Sequence, residues 1–277
     1  MMINETNSST ERVSLDVPVA APRTQEETYA PWAPFYDEFM EHPAYPSWVR
    51  RLEALSLSIR PRGLRALDVG CGTGKSTQPL VELGYKVTAC DVSPAMLARA
   101  AQKLAGQATL VHAALPDLAR LGRFDYVCCV NDVVNYLLDA DELEAAFRAL
   151  RANLAPDGVL VFDTSTQALY RTCYAQLRWR ELDDSIVLWR GETAPDFEAG
   201  GLAHAAVEIF AADGPMWRRS TSHHIQRHYP AEVVGQALEG AGLRLEAVYG
   251  QHDDGLPVQP LDEETHTKAV HVATRLQ

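Results

Sequence analysis

The 277-residue sequence contains no apolar run long enough to cross a membrane. Its N-terminus has neither the basic start nor the apolar stretch of a secretory signal, so we expect a soluble, cytoplasmic protein without a membrane partner. Acidic residues outnumber basic ones by 37 to 25, which gives a net charge of −12. Because a nucleic-acid-binding protein of this size needs a basic patch, this balance argues against a nucleic-acid partner.

The sequence also lacks the paired cysteines of a disulfide or zinc framework. Its five cysteines are an odd number, and none forms a C-x-x-C pair. We interpret them as reduced thiols, four of them in or beside buried strands, and predict no metal site. The histidines at 223, 224 and 228 do not change this, because His224 and His228 share a face only in a helix and the segment has the pattern of a strand.

What the sequence does contain is a regular alternation of strand and helix patterns. The strand patterns before residue 164 occupy 65–69, 86–90, 109–112, 124–130 and 159–163. Such alternation predicts an α/β fold with a doubly wound, mostly parallel sheet. Later patterns at 243–249 and 269–275 complete a seven-stranded Rossmann-like sheet. Between them lies an antiparallel β insertion, in which Asp213-Gly214 is a hairpin signal.

These patterns divide the chain into five segments. We expect a disordered tail at 1–25, an N-terminal helical cap at 26–60, a ligand-binding core at 61–163, an antiparallel insertion covering the substrate at 164–228, and a C-terminal helix with closing strands at 229–277.

The most informative run is A-L-D-V-G-C-G-T-G-K, from Ala66 to Lys75. A strand ends at Asp68 and passes directly into three alternate glycines, which tolerate positive φ and leave room for a ligand on the main chain. A dinucleotide-binding loop needs G-x-G-x-x-G, but the positions of the third glycine hold Lys75 or Thr77. The spacing therefore argues against a dinucleotide.

A second signal lies 23 residues after Asp68, where Asp91 ends the next strand pattern. An acidic residue at this place can accept two hydrogen bonds from ribose hydroxyls. Ser93 and Pro94 then suit the N-cap and first turn of a helix. Together, the glycine loop and Asp91 indicate a site for a nucleoside-like cofactor, and not a turn that serves packing alone.

The pattern D-x-G-x-G-x-G resembles the S-adenosylmethionine (SAM) loop of class I methyltransferases. The layout is similar to that of small-molecule enzymes that dimethylate amino sugars, with a Tyr36-Asp37 pair in an aromatic cap and an insertion after strand five. The resemblance implies SAM as cofactor, with Asp68 facing an ammonium group and Met96 under the adenine. The implied cofactor-binding residues are Tyr36, Asp68, Gly70, Cys71, Gly72, Gly74, Asp91, Val92, Met96, Leu115 and Asn131.

Two positions depart from that family. The usual Gly-Asp after strand three is Ala113-Ala114 here, so we expect the adenine to be held by backbone near Leu115 or by Asp117. The sugar enzymes place a histidine after strand four, where this chain has Tyr136.

The acceptor site is predicted beside the loop after strand four. We assign Tyr136 and His224 as catalytic and predict that the acceptor is lined by Trp32, Tyr36, Asn135, Tyr136, His224 and Arg227. The aromatic residues have an alternative interpretation as ordinary core. The function that follows is methyl transfer to a small molecule, on an amine nitrogen of an amino sugar or other natural product, by a monomer or homodimer.

Three alternatives stay open at this point. One is O-methylation of a hydroxyl or carboxylate, another is a SAM-binding module without catalysis, and the third is a macromolecular methyltransferase.

Overall fold

The computed structural model describes residues 25–59, 63–252 and 254–276. The predicted tail lies outside these residues except for Gln25, which begins the first helix. The helices of the described chain are α1 Gln25–Tyr29, α2 Tyr36–Phe39, α3 Tyr45–Leu57, α4 Thr77–Glu82, α5 Pro94–Leu104, α6 Ala140–Asn153, α7 Gln167–Thr172 and α8 Ala231–Gly240. None of these helices has the length and apolar character needed to cross a membrane.

A large central sheet forms the core of the molecule. Its strands are β1 Arg65–Val69, β2 Lys86–Asp91, β3 Ala108–His112, β4 Phe124–Cys129, β5 Leu154–Ser165, β10 Leu243–Gln251, β11 Pro257–Val258 and β12 Lys268–Arg275. The order across the sheet is β11-β10-β12-β5-β4-β1-β2-β3, with β1 to β5 parallel and the last three strands antiparallel. The predicted α/β fold class is confirmed, and the two-residue β11 adds an edge strand to the seven expected.

Helices cover both faces of this sheet because its strands are apolar on both sides. On one face, α6 and α8 bury Phe147, Leu150 and Leu238 against β4 and β5. On the other, α3 and α4 bury Trp48 and Leu80 among residues of β1, β2 and β12. Burial on both faces is the usual reason that parallel strands are almost wholly hydrophobic.

The fifth strand, predicted at 159–163, begins earlier, at Leu154. Its register with β4 shifts between Phe124 and Tyr126, which marks a bulge near the start of the strand. A Cβ on Gly158 would lie 2.8 Å from the carbonyl oxygen of Phe124, so glycine allows the two backbones to approach closely here.

The antiparallel insertion is a separate four-stranded sheet in the order β6-β7-β8-β9. Its strands are β6 Leu177–Leu182, β7 Ser185–Gly191, β8 Leu202–Asp213 and β9 Met216–Arg227. The β8–β9 hairpin forms as predicted, but Asp213 pairs with Met216, so the two loop residues are Gly214 and Pro215. The sequence patterns did not reveal α7 or the edge strand β6, whose apolar residues Leu177 and Trp179 are solvent-exposed.

The inner face of the small sheet packs on the N-terminal cap. Val187, Trp189 and Val207 share an apolar cluster with Trp32 of the segment between α1 and α2. The cap and the insertion therefore form one continuous cover above the carboxyl ends of β1, β4 and β5.

We expect the buried His271 to make the protein sensitive to acid. Its ring stacks on Phe162 with centres 4.6 Å apart, and burial lowers its pKa to about 3. In the unfolded chain the same group takes up a proton near pH 6.5, so the free energy of unfolding falls as the pH drops below that value.

Urea unfolding at pH 7 and pH 5 tests this expectation. Between the two pH values, the free energy of unfolding of His271→Gln should fall by about 2 kcal/mol less than that of the parent. In the control His204→Gln, at an exposed position, the free energy of unfolding should fall by as much as in the parent. Equal losses in all three proteins would show that His271 is not a neutral buried group.

Candidate functional site

The glycine loop between β1 and α4 is compact and open on one side. Gly70, Gly72 and Gly74 all have positive φ, at 74°, 53° and 82°. The N–H groups of Gly70 and Cys71 donate to the carbonyl oxygen of Cys90, at 2.8 and 3.0 Å. A Cβ on Gly70 would lie 2.4 Å from Val133, but one on Gly72 would meet no atom within 4 Å. The outer surface at Gly72 is therefore free for a ligand.

Asp68 supports this loop from beneath. Its carboxylate is fully buried and accepts hydrogen bonds from the hydroxyls of Ser76 and Thr77, at 2.7 and 2.6 Å, and a longer one from the Cys128 thiol. Burial raises the pKa of Asp68, and the hydrogen bonds oppose that rise. Asp68 and Gly74 line neither of the two cavities described below, and the ammonium contact of Asp68 stays a prediction.

Asp91 lies at the end of β2 with its carboxylate fixed in place. It accepts the N–H of Gly72 at 2.8 Å and the N–H of Ser93 at 2.9 Å. Burial raises its pKa, against the effect of these two hydrogen bonds. Ser93 caps α5 as predicted, because its side chain accepts the N–H of Met96.

A narrow cavity of about 80 Å³ extends from the loop to the end of β3. Asp91 lies in its wall, and the apolar side chains of Val92, Met96 and Leu115 flank it as a slot for a flat ring. Ala113 and Ala114 also line it, but the exposed Asp117 does not. These residues fit an adenosine group whose ribose lies on Asp91.

A larger cavity of about 530 Å³ adjoins the narrow one. The two share Tyr29, Tyr36, Gly70, Gly72, Asn131 and Tyr136. Beyond this shared boundary its walls combine aromatic residues with charged ones. The aromatic residues include Trp32, Tyr45, Trp48, Tyr174 and Trp189, and the charged ones are Lys75, Asp132, Arg178, Asp254 and Lys268. A cofactor bound along the glycine loop would thus present its reactive end to a chamber large enough for a metabolite.

A chain of hydrogen bonds begins at the shared boundary. The Tyr29 hydroxyl donates to the Tyr136 hydroxyl at 2.8 Å, and Tyr136 lies 2.9 Å from Nδ1 of His224. His224 is 1% exposed and lines neither cavity. Burial, with a smaller effect of His223, lowers its pKa to about 3, so the imidazole is neutral near pH 7. Burial raises the pKa of Tyr136.

Two other predicted substrate residues lie behind the cavity wall. Asn135 is fully buried, donating to the carbonyl of Arg227 and accepting the N–H of Ser165. The guanidinium of Arg227 donates to the carbonyls of Leu138 and Gly200. Both residues join the small sheet to the loop after β4, and neither reaches the cavity. Trp32, Tyr36 and Tyr136, in contrast, do line it.

The same chamber contains a charged cluster that was not predicted from the sequence. Asp132 follows β4 in the left-handed conformation, with φ of 67°, and its carboxylate pairs with Lys268 of β12. The Lys268 ammonium also donates to Asp163 of β5 at 2.8 Å, and Asp163 accepts the N–H of Asp132 at 2.9 Å. Asp132 and Lys268 line the larger cavity. The signal was the polar Asn131-Asp132 pair directly after an apolar strand.

The Tyr36-Asp37 pair also acquires a physical role. The Asp37 carboxylate accepts the hydroxyl of Thr73 at 2.5 Å and pairs with Lys103 of α5 at 2.6 Å. Thr73 belongs to the glycine loop. Asp37 therefore connects the cap to the glycine loop and to α5.

Comparison with known proteins agrees with this geometry. A methyltransferase domain family matches residues 66–158. A putative methyltransferase of Bacillus subtilis, YqeM, is 29% identical over 83% of this chain and 92% of its own. A dTDP-3-amino-3,6-dideoxy-alpha-D-glucopyranose N,N-dimethyltransferase of Streptomyces fradiae is 33% identical over 72% of this chain and 77% of its own. A ubiquinone biosynthesis O-methyltransferase of Xanthomonas axonopodis pv. citri is 35% identical over 72% of this chain and 71% of its own.

Among solved structures, the sugar N-methyltransferase KedS8 from Streptoalloteichus has a TM-score of 0.68 and 26% identity, with 99% of each chain covered. The fold and the nucleoside-shaped site thus define a class I methyltransferase. The chain belongs to the SAM-dependent methyltransferases, and SAM is its cofactor.

Gly72 offers a direct test of the cofactor position. The variant Gly72→Ala should weaken binding of S-adenosylhomocysteine by about tenfold or more, because the methyl group would project from the face left open for the ligand.

Gly106→Ala is a matched control, since Gly106 also has positive φ and open space but lies away from both cavities. It imposes a similar backbone strain, so calorimetry should show parental affinity. Equal losses in the two variants would mean that the loop does not carry the cofactor.

Proposed function

We propose that the protein methylates an amine nitrogen of a small molecule held in the larger cavity. The observation that carries the proposal is the Asp132 carboxylate in the wall of that cavity. With Lys268 and Asp163 it forms a cluster of two carboxylates and one ammonium, which has a net charge of −1 when all three are ionised.

The charge of this cluster favours an amine. A SAM methyl group supplies the electrophile, and the positive charge moves from sulfur to the nitrogen that attacks it. A carboxylate near that nitrogen stabilises the cation as it forms. The same carboxylate would oppose an anionic acceptor such as a phenolate or carboxylate, because like charges repel at close range.

The neighbouring groups are poor bases, which also favours an amine. A hydroxyl acceptor needs a group that takes its proton, whereas a neutral amine needs none. Burial lowers the pKa of His224 to about 3, and its Nδ1 is already engaged in a hydrogen bond with the Tyr136 hydroxyl. We therefore assign Tyr136 as a wall residue that orients the acceptor and His224 as the positioning residue behind it.

The aromatic walls contribute in a second way. Rings of Tyr29, Tyr36 and Tyr136 stand where the two cavities meet, so a cation on either side of the transfer lies near a π face. Such contacts contribute about 0.5–2 kcal/mol each. An amino sugar or a similar polar amine fits these walls, and the amino-sugar enzyme among the relatives supports this class of acceptor.

Asp132→Asn tests the role of the carboxylate. With a dTDP-linked amino sugar as acceptor, kcat/KM should fall by about 10- to 100-fold. The acid limb of the pH profile of kcat should also move to lower pH. Without the Asp132 carboxylate nearby, the ammonium group of the bound acceptor loses its proton more readily.

The exposed Asp213→Asn should leave both quantities unchanged and serves as the control. If the wild-type enzyme instead methylates a catechol-type phenol and ignores every amine, the proposal of an amine acceptor is wrong. Cofactor binding without turnover of any acceptor would point to a non-catalytic module.

Tyr136→Phe separates orientation from base catalysis. If Tyr136 orients the acceptor, its loss should lower kcat by about tenfold and leave the pH profile in place. If the Tyr136–His224 chain acted as a general base, the variant would lower kcat by more than about a hundredfold and would remove one ionisation from the pH profile. Tyr249→Phe, outside both cavities, is the control for the loss of a hydroxyl.

A further inference from the structure

We propose that Gln25, the first residue of α1, recognises the adenine edge of the cofactor in place of an acidic residue after β3. The proposal rests on the SAM cofactor and is independent of whether the acceptor is an amine. Gln25 is half-buried and lines the narrow cavity together with Ala113, Ala114 and Leu115.

The polar groups of the narrow cavity leave few alternatives. Tyr29, Tyr36, Asn131 and Tyr136 stand at its boundary with the larger cavity, where the methyl group is transferred. Of the residues that line only the narrow cavity, Gln25 and Asp91 are the two with polar side chains. Asp91 is held by two backbone N–H groups at the place of the ribose. Gln25 remains as the side chain that can hydrogen-bond to a base.

Independent contacts place the start of α1 at the end of β3. Oε2 of Glu26 lies 3.9 Å from Nε2 of His112, the last residue of β3. His112 Nε2 also lies 2.8 Å from the carbonyl oxygen of Val92 at the start of the slot. Gln25 therefore stands beside the position at which this chain has alanine and the expected carboxylate is missing.

The amide of Gln25 is oriented by a contact across the cavity. Its Nε2 donates to the carbonyl oxygen of Tyr136 at 3.1 Å. Turning the amide over would place Oε1 against that carbonyl, and two acceptors repel. The bond leaves Oε1 to accept from the adenine amino group and the second Nε2 hydrogen to donate to a ring nitrogen. A carboxamide can pair with adenine through two hydrogen bonds in this way.

The same orientation discriminates against hypoxanthine. Replacing the adenine amino group by a carbonyl converts its donor into an acceptor and adds a proton at N1. The first change opposes a carboxamide that cannot turn over, and the second opposes it as well if the pairing is at N1. We therefore expect S-adenosylhomocysteine to bind at least about tenfold more tightly than S-inosylhomocysteine.

Calorimetry with these two nucleosides and no acceptor tests the proposal. Gln25→Met keeps the length of the side chain but removes both hydrogen-bonding groups. This variant should bind S-adenosylhomocysteine about tenfold more weakly than the parent does, and its preference for adenine over hypoxanthine should fall to less than about threefold. Gln102→Met, at an exposed position of α5 outside both cavities, should behave like the parent.

A parental preference in Gln25→Met would overturn the proposal, whether or not the overall affinity fell, because backbone groups would then read the base. If that variant does not fold, the side-chain amide of Gln25 in the parent gives a second readout. Its ¹⁵N-linked proton resonances should shift more on addition of S-adenosylhomocysteine than of S-inosylhomocysteine. Equal shifts would contradict the assignment. Failure of amine methylation would not affect either measurement.

Discussion

The glycine loop is held on the end of β2, and the rest of the site is arranged around that attachment. Two loop N–H groups donate to the carbonyl of Cys90, and a third, from Gly72, donates to the carboxylate of Asp91. Asp68 supports the loop from below through Ser76 and Thr77. Because these bonds satisfy the polar groups on the inner side, the outer side can lie open to a cofactor.

The cap makes the site complete. Asp37 connects it to the glycine loop, Gln25 reaches the loop after β4, and Tyr29 reaches Tyr136. The antiparallel sheet packs on the cap from the other side and contributes His224. Aromatic residues and the ion-paired Asp132 and Lys268 thus both line the chamber. The Asp132 carboxylate supports the proposal of a basic acceptor.

Much of the fold could be predicted because local patterns coincide with global needs. Alternating apolar strands and helices specify the parallel sheet. The glycine spacing with Asp91 indicates a nucleoside-like cofactor, and the resemblance of the loop to that of class I methyltransferases implies SAM. Boundaries shifted where packing overrode local signals, as at Leu154–Gly158, where a close backbone approach extends β5 ahead of its predicted start at residue 159. Edge strand β6 was not predicted, and its apolar residues Leu177 and Trp179 lie exposed instead of in a core.

The order of residues along the chain settled the sheet, the loop and the class of cofactor, since each depends on neighbours a few positions apart. It did not settle which polar side chains face the acceptor. Lys268 meets Asp132 across 136 residues, and His224 meets Tyr136 across 88. Burial and charge at such meetings arise from folding, because desolvation and Coulomb energy depend on distance in space. Hence Asn135 and Arg227 lie behind the wall, whereas Asp132 lies in it.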